Sequence, residues 1–234
     1  MNSIKPSINY SGEEIILNEN YNDSLSLIRN EIFSEQNTNT LKISLLKRSF
    51  DMLASGLLSI LVLPWLIPII AVFIKLDSKG PVFFIQKRTG LDRKTFSCIK
   101  FRTMYVNDDA NRIQVQENDS RITRTGYYLR KLYIDEIPQL INVVLGQMSL
   151  VGPRPFMLRH NVEYSRLINN YHKRHTVKPG LTGLAQMRGY HGTISSRKDL
   201  FDRIMSDMEY IEKSSLRKDL LIIFGTFIHI IKNL

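Results

Sequence analysis

Asp135 and Glu136 stand side by side in Tyr133-Ile134-Asp135-Glu136-Ile137-Pro138-Gln139-Leu140, and many cations surround them in the sequence. Arg121, Arg124, Arg130 and Lys131 precede the pair, and Arg154 follows it. Lys100 and Arg102 lie upstream, and Arg174, His175 and Lys178 lie downstream. Guanidinium and ammonium groups in that number suit a pyrophosphate, whose oxygens an arginine can grip two at a time. Adjacent carboxylates facing that charge can divide two tasks: one attacks phosphorus while the other holds a divalent ion bridging phosphate oxygens. A plainer reading competes with this one. Ile137, Leu140, Ile141, Val144 and Leu145 recur at helical spacing, Pro138 is tolerated only in a first turn, and Gly146 is a good stop. The acids then fall at a helix N-terminus, where Asp135 is an ordinary N-cap and Glu136 an ordinary first-turn acid.

The elements that must position the pair begin with a membrane candidate. Met52 to Ile74 runs for about 23 residues without a charge, enough to cross a hydrocarbon core as a helix. Pro64 and Pro68 near its middle predict a bend or break, leaving halves of roughly 18 Å against a core of about 30 Å. Lys47 and Arg48 precede the segment, Lys75 and Lys79 follow it, and both flanks therefore favour the cytoplasmic side. A re-entrant helix hairpin, entering one leaflet and turning at the prolines, satisfies both observations; a kinked full span and a buried soluble helix are the alternatives. Beyond Gly80-Pro81, Val82 to Gln86 and Thr95 to Phe101 read as two strands joined by a turn at Gly90. From Arg121 onward helical patterns dominate, punctuated by Gly152-Pro153-Arg154-Pro155 and Lys178-Pro179-Gly180. Leu220 to Ile231 is an apolar helix of about 12 residues, suited to the membrane interface or to the core. The expected fold is mainly α with a small β-hairpin. Residues 1–41 form an acidic extension read as flexible, 42–79 the membrane helix and its flanks, and 80–234 the catalytic domain.

A chain of 234 residues accommodates one catalytic unit, and its formal charge of +10 calls for an anionic partner: nucleic acid, an anionic bilayer or a phosphorylated substrate. Nucleic acid is disfavoured, because the basic residues are not interleaved with an aromatic platform or a recognisable binding motif. Cys98 is the single cysteine, so no intrachain disulfide forms, and its alternating neighbours make it a buried strand residue. His160, His172, His175, His191 and His229 show no zinc-ligand spacing. The N-terminal residues lack the pattern of a secretory signal, so insertion is expected to rely on the internal segment.

The motif order is more specific than any of these features. Lys100-Phe101-Arg102-Thr103-Met104, Arg121-Ile122-Thr123-Arg124, Leu129-Arg130, Asp135-Glu136-Ile137-Pro138-Gln139-Leu140, Met148 to Pro155 and Arg174 to Gln186 follow one another in a series that resembles the bacterial sugar transferases, the monotopic polyprenyl-phosphate phosphoglycosyl transferases. The resemblance covers about Lys47 to the C-terminus. It implies a monotopic protein of the bacterial inner membrane with one re-entrant helix and a cytosolic catalytic domain. It also implies a two-step reaction in which Asp135 attacks the β-phosphate of a UDP-sugar, UMP leaves, and a polyprenyl (undecaprenyl) phosphate takes the sugar phosphate from Asp135. By the same likeness Glu136 binds Mg²⁺. Lys100, Arg102, Arg121, Arg130, Arg154, Arg174, His175, Lys178, Gln186 and Asp207 contact substrate or its phosphates. Anionic membrane lipids are expected partners, and a homo-oligomer is compatible with the sequence. The stretch Met187 to Gly192 is similar to the branch acting on glucose or galactose phosphates in exopolysaccharide synthesis. A membrane anchor without catalysis is the main rival, but gripping anionic lipid requires charge and no particular Asp-Glu order.

Overall fold

The computed structural model describes residues 45–232 apart from 112, 117, 118, 191 and 195. The expectation for residues 1–41 lies outside the described residues. The described chain is mostly helical with two small sheets, as expected except for the second sheet.

Helix α1 spans Leu45–Asp77, 33 residues, and is long and apolar enough to cross a membrane by length and composition. Helical backbone runs through Pro64 and Pro68 instead of ending there. The amide missing at Pro68 is the one that would bond the Pro64 carbonyl, so the two defects fall on one face of the helix. Leu57, Ile60, Leu61, Trp65, Ile69 and Val72 leave its middle exposed and apolar. Both ends, by contrast, are tied to one body by polar groups. At the start, Lys47 Nζ lies 2.6 Å from Asp219 Oδ2, and Arg48 Nη1 donates to the Val143 carbonyl at 2.9 Å. Buried Asp51 accepts from Ser149 Oγ at 2.7 Å and from the Leu150 amide at 3.2 Å. At the far end, Asp77 accepts from the Thr125 amide at 2.7 Å, while Ile70 and Ile74 pack with Phe101 and Leu129.

Strands β1 (Phe83–Thr89) and β2 (Thr95–Phe101) form the expected antiparallel hairpin, with the first strand extending three residues past the expected end. The register pairs Phe84 with Lys100, Gln86 with Cys98 and Arg88 with Phe96, so these six side chains share one face. Then follow α2 (Arg124–Lys131), a 3₁₀ turn (Ile134–Glu136), α3 (Gln139–Val144), β3 (Ser149–Val151) and α4 (Leu158–Leu167). A second 3₁₀ turn (Tyr171–Thr176) leads to β4 (Gly180–Thr182), α5 (Leu184–Met187), α6 (Arg197–Glu212) and α7 (Leu216–Lys232).

The parallel pair of β3 and β4 was not expected from the sequence. Three-residue strands carry almost no periodic signal, and their Gly-Pro borders read as turns. The glycines serve close approach: a Cβ on Gly180 would lie 2.1 Å from the Gly152 nitrogen. Helix α7 is longer than its apolar stretch suggested, and one face packs into the core while the other is left exposed and apolar. Asp219 and Ile222 are buried and Thr226 Oγ1 meets Thr182 Oγ1 at 2.6 Å, whereas Leu221, Phe224, Phe227 and Ile231 are exposed. The main core joins the hairpin face (Phe96, Cys98) to α3 (Leu140, Val143), β3 (Leu150, Val151) and the C-terminal helices (Tyr210, Ile222). Cys98 is buried in the strand, as its neighbours implied.

Candidate active site

Between α2 and α3 the chain passes through Tyr133, whose φ of 57° puts a bulky residue in the left-handed region. Such backbone strain persists only where its surroundings hold it, and here it aims the next residues inward. Ile134–Glu136 form one 3₁₀ turn, bonded from the Ile137 amide to the Ile134 carbonyl at 3.1 Å. Pro138, which has no amide to donate, then starts α3 without any side-chain cap. Neither acid therefore caps the helix. The capping reading fails because the acids sit a turn upstream, with their side chains directed into a cavity.

That cavity, of about 290 Å³, lies between the hairpin, the dyad, the Arg154-Pro155-Phe156 segment and α6. Asp135 and Glu136 are both buried on its wall but differ in their partners. Glu136 is paired at both oxygens: Lys100 Nζ lies 2.5 Å from Oε1, Arg154 Nη1 lies 2.8 Å from Oε2, and Arg154 Nη2 also bonds Oε1. Burial alone would raise its pKa, but Arg154 and Lys100 together outweigh burial and hold the carboxyl well below the usual range. Asp135 accepts no hydrogen bond among the described residues. Burial first, and the neighbouring Glu136 charge second, push it up to about 6, against a smaller opposing pull from Lys100, Arg130 and Arg154. Two adjacent acids are thus held in different states, one a fixed anion in a tight ion pair and the other an unengaged carboxylate that titrates near neutrality.

Lys100 owes its position to a clamp that the sequence reading did not include. Asn142 of α3 accepts from the Ile99 amide at 3.0 Å and donates to the Ser97 carbonyl at 2.8 Å, fixing β2 against α3.

The structure brings Lys100, Arg130 and Arg154 together with the dyad around the cavity. Arg102 also reaches its lining, but its guanidinium donates to the Lys79 carbonyl at 2.6 Å and the Ser78 carbonyl at 2.8 Å, capping the end of α1. The other expected contacts lie elsewhere. Arg121 pairs with Asp119 at 2.6 Å. Arg174 and Asp207 form a buried ion pair at 2.7 Å, with the guanidinium 4.4 Å from the Phe156 ring. Arg174 also donates to the Arg154 carbonyl at 2.9 Å, so this pair supports the segment that carries Arg154. His175 is buried beside Asn161, and burial followed by the Arg174 charge pushes it down to about 4, leaving it neutral at ordinary pH. Gln186 donates to the Leu181 carbonyl, and Lys178 sits near Arg48 and Gly146. Two cavity cations escaped the sequence reading: Arg88 of β1 and Arg203 of α6.

Comparison with known proteins bears on what such a site does. The sequence model of the family described as "Bacterial sugar transferase" matches residues 42–233.

The chain belongs to the bacterial sugar transferase family.

Its relatives include a protein of Klebsiella pneumoniae named UDP-glucose:undecaprenyl-phosphate glucose-1-phosphate transferase, 47% identical over 77% of this chain and 39% of that protein. The exopolysaccharide production protein PSS of Rhizobium leguminosarum bv. phaseoli is 45% identical over 78% of this chain and 94% of its own length. A protein of Aeromonas hydrophila named UDP-N-acetylgalactosamine-undecaprenyl-phosphate N-acetylgalactosaminephosphotransferase is 41% identical over 77% of this chain and 42% of that protein. The chain thus spans about two fifths of the length of the Klebsiella and Aeromonas proteins. The family expected from the motif series is the one found. Within the bacterial sugar transferases the names of the relatives divide between glucose and N-acetylgalactosamine, so family membership does not select the sugar.

Proposed function

We propose that this bacterial sugar transferase moves a hexose-1-phosphate from a UDP-sugar to a polyprenyl (undecaprenyl) phosphate through a covalent phosphosugar on Asp135. The observation that carries the reading is the asymmetry of the dyad. A buried, unengaged carboxylate stands beside one neutralised by Lys100 and Arg154, in a cavity lined with further cations. In the first step an Asp135 oxygen bonds to the β-phosphorus. The bond from that phosphorus to the bridging oxygen breaks, and UMP leaves with the electron pair. In the second, a lipid phosphate oxygen attacks the same phosphorus and Asp135 is freed. Neither step requires a proton, which suits a site whose positive charge is fixed by Lys100, Arg130 and Arg154.

The likeness to the family also implies Mg²⁺. Among the described residues there is no cluster of three or more acidic, histidine or cysteine ligands. Mg²⁺ commonly takes only one or two carboxylates and completes its shell with substrate phosphates and water, and the dyad suits that arrangement. Asp135 has both oxygens free, and Glu136 Oε2 has a single arginine donor. These two would hold the ion, which would offset negative charge on the substrate phosphates.

The direct test is UMP release on mixing the protein with Mg²⁺, polyprenyl phosphate and a panel of UDP-sugars, and its pH dependence adds a specific expectation. Asp135 must be ionised to attack, so release should be level above about pH 6 and fall roughly tenfold per unit below it. The stability effect has the opposite direction. Between the ordinary carboxylate value of 3.8 and about 6 the folded state holds more protons at Asp135, so that residue's contribution to stability falls as pH rises through this window. A profile flat down to pH 4 would contradict the assignment.

The same reading places the protein on the cytoplasmic face of the inner membrane, with α1 re-entrant. What supports this is the attachment of both ends of α1 to one polar body, through Lys47, Arg48 and Asp51 at the start and Asp77 at the end. A straight crossing helix would carry its ends to opposite faces. Single cysteines at exposed Leu45 and at Lys79, with Cys98 replaced, should label from one common side of the membrane; labelling from opposite sides would refute re-entry.

A further inference from the structure

Charge at the cavity is not evenly matched. Lys100 and Arg154 are answered by Glu136, and Asp135 stands next to them. Arg203 and Arg88 have no such answer. Arg203 projects from α6 into the cavity wall, is 3% exposed, and forms no ion pair among the described residues. Among the described residues its terminal nitrogens reach only the Gly192 carbonyl, at 3.4 Å, and its Nε has no partner. Asp207, one turn further along the same helix, is held by Arg174 at 2.7 Å. Arg88 donates from Nη1 to the Pro155 carbonyl at 2.8 Å, and its Nε is also unpartnered.

A buried guanidinium without a carboxylate or a full set of acceptors is costly, and it persists where a ligand completes it. Burial and the nearby Arg154 charge both disfavour the charged form of Arg203, and burial does the same at Arg88; each is pushed down to about 10, still fully charged at neutral pH. The ligand must therefore be an anion, and it must share a cavity with the dyad.

We infer that Arg203, with Arg88, forms a second phosphate subsite that grips the nucleotide-side phosphate of the sugar nucleotide, leaving its sugar-side phosphate at Asp135. This rests on the reaction proposed above and deepens it. When the bond between the β-phosphorus and the bridging oxygen breaks, the electron pair stays on that oxygen and negative charge grows on the departing UMP. Arg203 and Arg88 meet that charge where it develops. The lipid phosphate, entering after UMP has left, attacks at Asp135 and makes no demand on the second subsite.

The test measures UMP binding to the full chain in detergent or nanodiscs by calorimetry, together with thermal unfolding of the ligand-free protein, for wild type, Arg203→Met and Arg88→Met. The expected result for Arg203→Met is UMP affinity weakened at least about tenfold, the loss of one charge-assisted pair. The melting temperature without nucleotide should be equal to or higher than wild type, because an unanswered buried charge has been removed. Arg203→Lys should recover part of the affinity, since it keeps the charge and loses the fork. A merely structural arginine would give the reverse pattern: lower melting temperature with unchanged UMP affinity in the folded fraction. That result, or unaltered UMP affinity in both methionine variants, overturns the subsite. Failure of the underlying reaction has a different signature. Wild-type protein that binds inorganic pyrophosphate through Arg203 yet releases no UMP from any UDP-sugar would retain the anion subsite and remove the assigned chemistry.

Discussion

Asp135→Asn is expected to lower UMP release by at least about 10³-fold while leaving the fold intact or more stable. The two halves of that expectation have one origin. Asp135 is buried, accepts no hydrogen bond among the described residues, and lies beside the Glu136 anion, so the folded protein already favours its neutral form. Asparagine supplies a neutral isostere and removes that conflict. It also removes the oxygen nucleophile, and no neighbouring group replaces it, since Glu136 is held by Lys100 and Arg154. Rate and melting temperature measured on the same preparation check both halves. A variant that loses activity and melts much lower would assign Asp135 a structural role.

Arg154→Met should behave in the opposite sense on stability. Arg154 bonds both oxygens of Glu136, and its loss leaves a buried carboxylate with Lys100 alone. Breaking a buried pair from one side costs about 3–5 kcal/mol, chiefly because the remaining charge is stranded. Activity should also fall, by about 10²-fold or more, because Arg154 is one of the fixed cations facing the phosphates. Thermal or denaturant unfolding separates the effects: the double variant Arg154→Met with Glu136→Gln should recover much of the stability without recovering the rate. If Arg154→Met alone unfolds like wild type, the ion pair is not what holds the dyad in its two states.

These contrasts show where the sequence was informative. The spacing of Asp135, Glu136, Arg130 and Arg154 lies within one short stretch, and Lys100 sits on a strand whose alternation was visible, so their convergence could be anticipated. The helix-capping alternative failed on local geometry: the left-handed Tyr133 and the 3₁₀ turn have no periodic signature. Proximity along the chain leaves the direction of each cation open. Arg121 is used by Asp119 and Arg102 by the end of α1, because sequence distance says nothing about the direction of a side chain. The family likeness implies a phosphate contact for Arg174, and in the fold its guanidinium pairs with Asp207, 33 positions away.

Arg203 was missed for the complementary reason, although a signal existed. Leu200, Ile204 and Met208 recur at helical spacing and are buried, and Arg203 falls on the same face. An arginine in an apolar stripe is an anomaly that asks for a partner. Arg88 could have been found in the same way, sharing a strand face with buried Gln86. The β3–β4 pairing and the Asn142 clamp, by contrast, depend on contacts between distant segments with no pattern of their own.

A covalent bond between Asp135 and a sugar phosphate would show most directly in the intact mass of the protein after exposure to Mg²⁺ and a UDP-sugar without lipid phosphate. The expected result is release of UMP together with a gain of one sugar phosphate, mapped by peptide analysis to Asp135 and discharged on adding polyprenyl phosphate. UMP release that requires the lipid from the outset, with no adduct on the protein, would contradict it.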